Sequence, residues 1–160
     1  FDININPGSG ARHMIMDKTE RFAYVLGEMT GEIFVADLSE KENHIIQKIS
    51  IVPDKYDGTS KGAAIRLHPN GELLYASSRG SDIISVFRID NESKRLILAS
   101  FHSSEGKTPR DFNIDASGKW LISANQDSNT LVVFEINLHD GSLHLSSKVN
   151  VDTPVNITNL

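Results

Sequence analysis

Arginine, histidine and glutamate bind anions and move protons, and one of each stands near the start of this chain. Arg12 and His13 lie in the stretch GARH, and Glu28 closes FAYVLGE, sixteen positions beyond Arg12. The planar fork of an arginine takes carboxylate or phosphate oxygens two at a time. A glutamate held nearby can accept a proton from water or from a substrate. The same residues could equally be solvated or salt-bridged strand ends, so their spacing has meaning only once the elements that carry them are known.

Those elements repeat. DKTERFAYVLGEMTGEIFVADL (17–38) aligns without gaps on HPNGELLYASSRGSDIISVFRI (68–89), offset by 51, and on DASGKWLISANQDSNTLVVFEI (115–136), offset by a further 47. The alignment persists into IIQKISI, LILASF and LHLSSKV, which makes three tandem units of 47 to 51 residues. Each unit holds four short runs of strand character; in the second they are AAIRLH (63–68), LLYASS (73–78), DIISVFRI (82–89) and RLILASF (95–101). Asn70-Gly71 after Pro69 predicts a two-residue type I′ hairpin, whose central positions both need positive φ. Ser117-Gly118 takes the same place in the third unit, and Thr19-Glu20 is a poorer match in the first. No segment sustains a 3.6-residue period.

Four antiparallel strands per unit at this period predict an all-β chain and a β-propeller. The expected blades span about 11–52, 62–102 and 109–150, and the first strand of a fourth is expected at 154–160, beginning at Thr153-Pro154-Val155. Against the roughly four to eight blades of known propellers, that is about half a ring. No unit carries the Gly-His and Trp-Asp pairs of WD40 repeats.

The repeat register makes the reactive residues comparable. Glu28, Arg79 and Gln126 share one position just past the second strand, Arg12 aligns with Ala63 and Arg110, and His13 with Ala64 and Asp111. Structural positions repeat, as in the apolar sets Met14, Ile65, Phe112 and Phe22, Leu73, Trp120. Acid, cation and amide at the Glu28 position are what an asymmetric site built on copies of one scaffold would show. In a propeller the first strand lines the central channel, and an antiparallel hairpin brings its start to the end of the second strand. Arg12 should therefore meet Glu28, and Arg110 should stand beside Gln126, again sixteen positions on. An Arg110–Asp111 pair and amide bonds from Gln126, bracing the blades, are the plainer alternative to a pocket lining. His44, His68, His102, His139 and His144 fall on turns or outer strands and read as surface. No serine sits in a G-x-S-x-G elbow, and Gly8-Ser9-Gly10 precedes no helix.

Bulk properties bound the function classes. With 160 residues, 39% of them hydrophobic, 23% charged and a net charge of −5, the chain reads as one soluble globular domain. An acidic balance without a Lys/Arg run argues against nucleic acid or an anionic membrane as partner. There is no cysteine, hence no disulfide and no thiolate metal site. No apolar run nears the ~20 residues that span a bilayer, and FDINI is not a charged leader with a hydrophobic segment, so the expected compartment is the cytoplasm. The missing initial methionine suggests a processed chain or one cut from something longer. The sequons at Asn91 and Asn156 read as chance.

GARH followed by FAYVLGE, then AAIRLHPNGELLYASSRG, then KTPRDFNIDASGKWLISANQDS with VVFEI behind it, form an ordered string. From about Gly8 to Leu160 it resembles the seven-bladed propeller lactonases, the family of bacterial 6-phosphogluconolactonase and the carboxymuconate lactonizing enzyme. The family usually has Pro at Ala11 and Asn at Ser78, and neither departure removes a reactive group. The resemblance implies catalytic roles for Glu28, Arg12 and Arg79. Glu28 would be the base or proton shuttle, and the arginines would anchor an anionic sugar lactone such as 6-phosphogluconolactone. The family's histidine lies in an earlier blade, so His13 is no substitute for it. His13, Arg110 and Gln126 are the candidates for substrate binding. Hydrolysis by this route needs no metal and no cofactor. A non-catalytic binding propeller and a muconate-type cycloisomerase are the alternatives. As a C-terminal portion, this chain would be inactive alone and prone to self-association through exposed blade edges.

Overall fold

The computed structural model describes residues 3–39 and 44–158. Among them lie twelve strands and no helix. The first sheet contains β1 (Ala11–Met16), β2 (Phe22–Gly27), β3 (Glu32–Asp37) and β4 (His44–Ser50). The second contains β5 (Gly62–Leu67), β6 (Leu73–Ser78), β7 (Ile83–Ile89) and β8 (Leu96–Ser103). The third contains β9 (Pro109–Ile114), β10 (Trp120–Asn125), β11 (Thr130–Ile136) and β12 (Leu143–Asn150). Within each sheet the strands pair antiparallel in chain order. These are three propeller blades, and the all-β expectation stands.

Consecutive blades pack face to face with their first strands side by side, β1 against β5 and β5 against β9. One core lies between the first two blades, where Tyr24, Leu26, Ile33 and Val35 meet Ile65, Leu74, Ala76 and Phe87. The other joins Tyr75, Ile84 and Val86 to Phe112, Leu121, Val132 and Phe134. A second strand covered on both faces has no polar side to present, which is why FAYVLG and LLYASS read as unbroken apolar and small runs. The blades are also pinned by repeated bonds: Tyr24 Oη donates to Lys94 O at 3.2 Å, and Tyr75 Oη to Gly141 O at 2.9 Å.

Several expectations need correction. The hairpins are not type I′. Gly71 donates its N–H to His68 O at 2.8 Å with φ at 80°, and Asn70 keeps a negative φ. The turn is His68–Gly71 with its fourth residue left-handed. Gly118 repeats it at φ 72° and Glu20 at φ 57°. His68 is buried, at 4% exposure. It stands where the other units have Asp17 and Asp115 and fills their place in the turn. Its Nδ1 accepts the Asn70 N–H, while Nε2 donates to Gly118 O at 2.8 Å. His102 is half-buried, its Nε2 facing the Leu143 N–H at 3.4 Å and the Ser100 hydroxyl at 2.9 Å.

Met14 and Trp120 are not core residues, at 52% and 38% exposure, because no sheet among the described residues covers the face each occupies. Residues 154–158 join no ladder, and the last two positions of the expected 154–160 strand lie outside the described residues. Among the described residues, no helix is long and apolar enough to cross a membrane.

Candidate functional site

The three first strands share an irregularity that the sequence does not announce. In β1 the register passes from Ala11↔Gly27 to His13↔Leu26, leaving Arg12 as the extra residue of a bulge. In β9 it passes from Asp111↔Ala124 to Pro109↔Asn125, leaving Arg110 in the same role, and β5 shifts between Gly62 and Ile65. A bulge re-aims the side chain it inserts. Both inserted residues here are arginines.

Backbone bonds fix the other half of the site. The N–H groups of Glu28, Arg79 and Gln126 donate to the carbonyls of Gly10, Lys61 and Thr108 at 2.7, 2.9 and 3.0 Å. Each second-strand end is thereby tied to the start of its own first strand. The Gly62 N–H then donates to Glu28 O at 3.0 Å and brings the second blade up against the first. Gly62 is required there: a Cβ would stand 2.6 Å from Gly27 O.

Glu28 consequently lies between two arginines from different blades. Its Oε1 accepts a hydrogen bond from Arg79 Nη2, and its Oε2 lies 3.5 Å from Arg12 Nε. The arginine side chains are only 13% and 18% exposed, whereas that of Glu28 is 38% exposed, so solvent reaches the acid more than its partners. The Arg79 hydrogen bond, with further attraction from Arg79, Arg12 and Arg110, outweighs burial and holds the Glu28 carboxyl below its ordinary value of 4.5. Burial and the neighbouring Arg79 lower Arg12, against the opposing pull of Glu28.

His13 belongs to the same cluster. Arg12 Nη1 lies 2.9 Å from His13 Nε2. A guanidinium only donates, so the ring accepts and its proton sits on Nδ1. That Nδ1 is buried without a hydrogen-bond partner among the described residues. Burial first and Arg12 next hold the imidazole below 6.5, which keeps it neutral at pH 7.

The expected Arg110–Asp111 pair is absent. Arg110 Nη1 donates instead to Gln126 Oε1 at 3.1 Å, as the sixteen-residue spacing suggested. Asp111 is 3% exposed, and a buried carboxylate must have its oxygens filled. It takes Arg66 Nη2 at 2.8 Å on Oδ1, and Asn156 Nδ2 and the Ile157 N–H, both at 3.0 Å, on Oδ2. Arg66 escaped the sequence reading. Its only signal was a cation inside a first strand, in the register of Ile15 and Asn113. Among the described residues no three His, Asp or Glu side chains converge as metal ligands would.

The comparisons place the fold among known proteins. A family model described as "Lactonase, 7-bladed beta-propeller" matches residues 1–159. The 6-phosphogluconolactonase of Bacillus subtilis is 34% identical over 152 residues, 93% of this chain and 44% of its own. That of Serratia proteamaculans is 35% identical over 138 residues, 85% of this chain and 41% of its own. The structure of the periplasmic gluconolactonase of Pseudomonas aeruginosa superposes with a TM-score of 0.91 at 29% identity, over 96% of this chain and 43% of its own. The chain thus spans less than half the length of these relatives. With its repeats, blades and matched length all in accord, the chain belongs to the seven-bladed β-propeller lactonase family.

Proposed function

We propose that this chain contributes the Arg12–Glu28–Arg79 group to a site that hydrolyses the lactone of an anionic sugar, 6-phosphogluconolactone or a close relative. The observation that carries the reading is one accessible carboxylate held between arginines of adjacent blades, at the end where each second strand is tied to the start of its first. The arginines are donors for a carbonyl oxygen that becomes negative as water adds. Glu28 accepts the proton of that water, the tetrahedral intermediate collapses with cleavage of the ring C–O bond, and the proton passes to the departing ring oxygen. Alone, Glu28 is a weak base, because Arg79 keeps its affinity for protons low. An anionic substrate competing for the arginines loosens that hold and makes Glu28 more basic when it is needed. His13, Arg110 and Gln126 line the approach, and the cytoplasm is the proposed compartment.

The test is Glu28→Gln in a closed ring carrying this chain. Turnover of 6-phosphogluconolactone is expected to drop by about 10²- to 10⁴-fold with an unchanged β-sheet circular dichroism spectrum. A rate like that of the parent protein refutes the role of Glu28. The ion pairing itself favours a second reading, a non-catalytic propeller that binds anions. Such a protein gives no saturable lactone turnover above the spontaneous rate.

A further inference from the structure

Beyond the Arg12–Glu28–Arg79 group, on the far side of Arg79, lies a second polar depression. Its volume is about 470 Å³, within the range that accommodates a small ligand, and Tyr56, Lys61, Arg79, Thr108, Arg110 and Gln126 are among the residues that line it. The second and third blades and the segment leading into the second build it: Arg79 follows β6, Lys61 precedes β5, Arg110 is the bulge residue of β9, and Tyr56 stands on the connection from β4 to β5. That connection is seated firmly. Tyr56 Oη donates to Thr59 O at 3.4 Å, and the same carbonyl lies where a Cβ on Gly80 would be only 1.9 Å away. Any side chain at Gly80 would push the wall outward.

The depression is cationic. Lys61, Arg79 and Arg110 face a single carboxylate, Asp127, whose Oδ2 is engaged by the Thr108 hydroxyl at 2.6 Å. Arg79 gives one nitrogen to Glu28 and Arg110 gives one to Gln126. Each guanidinium has five N–H groups, so donors remain on both, and Lys61 adds an exposed ammonium. Arg79 is shared: one guanidinium borders both the reactive carboxylate and this depression.

We infer that the depression is a subsite for a phosphate monoester, the distal charged end of a substrate whose lactone carbonyl lies at Arg12 and Glu28. This rests on the lactonase reading for the second half of the statement only. With Glu28 answering Arg79 and Asp127 on the wall, three cations still outnumber two carboxylates, and a phosphate supplies the negative charge that a neutral hydroxymethyl group would not. Lys61 and Arg110 then select phosphorylated over unphosphorylated lactones, and Arg79 couples the recognition of charge to the placement of Glu28.

Isothermal titration of this chain with 6-phosphogluconate and with gluconate, the ring-opened acids that differ only in the phosphate, tests the subsite without turnover. 6-Phosphogluconate is expected to bind at least about tenfold more tightly, and Lys61→Gln and Arg110→Gln should each cut that preference severalfold. Lys61 is exposed, so its variant keeps the fold even if Arg110→Gln does not. Equal affinities in the unmodified chain, or an undiminished preference in Lys61→Gln, overturn the inference. A closed ring carrying this chain that shows the phosphate preference but no lactone turnover keeps the subsite and loses the lactonase reading. One that turns over lactones regardless of phosphate does the reverse.

Discussion

At the scale of the residue, the deciding fact is that Glu28 has two arginine partners and they come from different blades. A carboxylate whose pKa is lowered in the folded state adds stability above its unfolded value and loses that contribution as pH falls through the folded value. For Glu28 the contribution is present at and above pH 4.5 and fades below it. Asp37 behaves alike: Arg21 donates to both of its oxygens at 3.1 and 2.8 Å and is the leading cause of its lowered pKa. Urea midpoints compared at about pH 7 and pH 3 should therefore fall with acidification, and Asp37→Asn should reduce that fall. An equal fall in the variant would assign the acid sensitivity elsewhere. Asp111 follows a different logic, because it is buried with three donors. Asp111→Ala strands the Arg66 guanidinium and should cost about 3 kcal/mol in chemical denaturation. Glu28 and Arg79 were legible because one repeat position carries acid, cation and amide, Arg12 because it stands sixteen residues before Glu28, and the three as a group through the family resemblance. Arg66 was not, since a lone cation on a strand carries no sign of its partner 45 positions away.

At the scale of the element, the strands of the second unit lie within two residues of their predicted bounds, because apolar runs and turn residues bound them on both sides. The turn type was misread for a physical reason. An Asn-Gly pair suits two different turns, and which one forms depends on the residues that close the ladder beyond it. In the observed turn only the fourth position is left-handed, and Glu20 occupies it at φ 57° where the other blades have glycine. A side chain there is strained by about 1 kcal/mol, partly offset by the greater chain entropy glycine loses on folding. Glu20→Gly should raise stability by about 0.5 kcal/mol, read as a shift in the denaturant midpoint. Gly118→Ala should destabilise, since its Cβ would sit 2.6 Å from His68 Nε2 in addition to adopting that φ. If Glu20→Gly leaves the midpoint unmoved, the turn is less strained than its backbone indicates. Tyr75→Phe removes the bond to Gly141 O between the second and third blades and should cost about 1 kcal/mol.

At the scale of the whole molecule, the exposure that invites self-association is of blade faces rather than strand edges. Every blade presents a first strand toward the channel and a fourth strand to the periphery, whatever the number of blades. What differs is that Met14 on one outer side and Trp120 on the other have no sheet packed over them among the described residues. We propose that the chain associates with itself through these faces. Sedimentation velocity should show a mass that rises with concentration, and Trp120→Lys should weaken the rise. A monomer across the whole range would contradict it.

By itself the sequence determined the triplication, the four strands of each unit, and the register that sets Glu28 and Arg79 apart from each other and puts Arg12 beside Glu28. These are local or periodic properties, written along the chain at fixed spacing. Only the tertiary structure decided which charges meet. Arg79 reaches back to Glu28, Arg66 takes Asp111 from Arg110, and Lys61 shares a depression with Arg110. Each of these choices depends on the packing of one blade against the next and on bulges of a single residue, and neither leaves a period in the sequence.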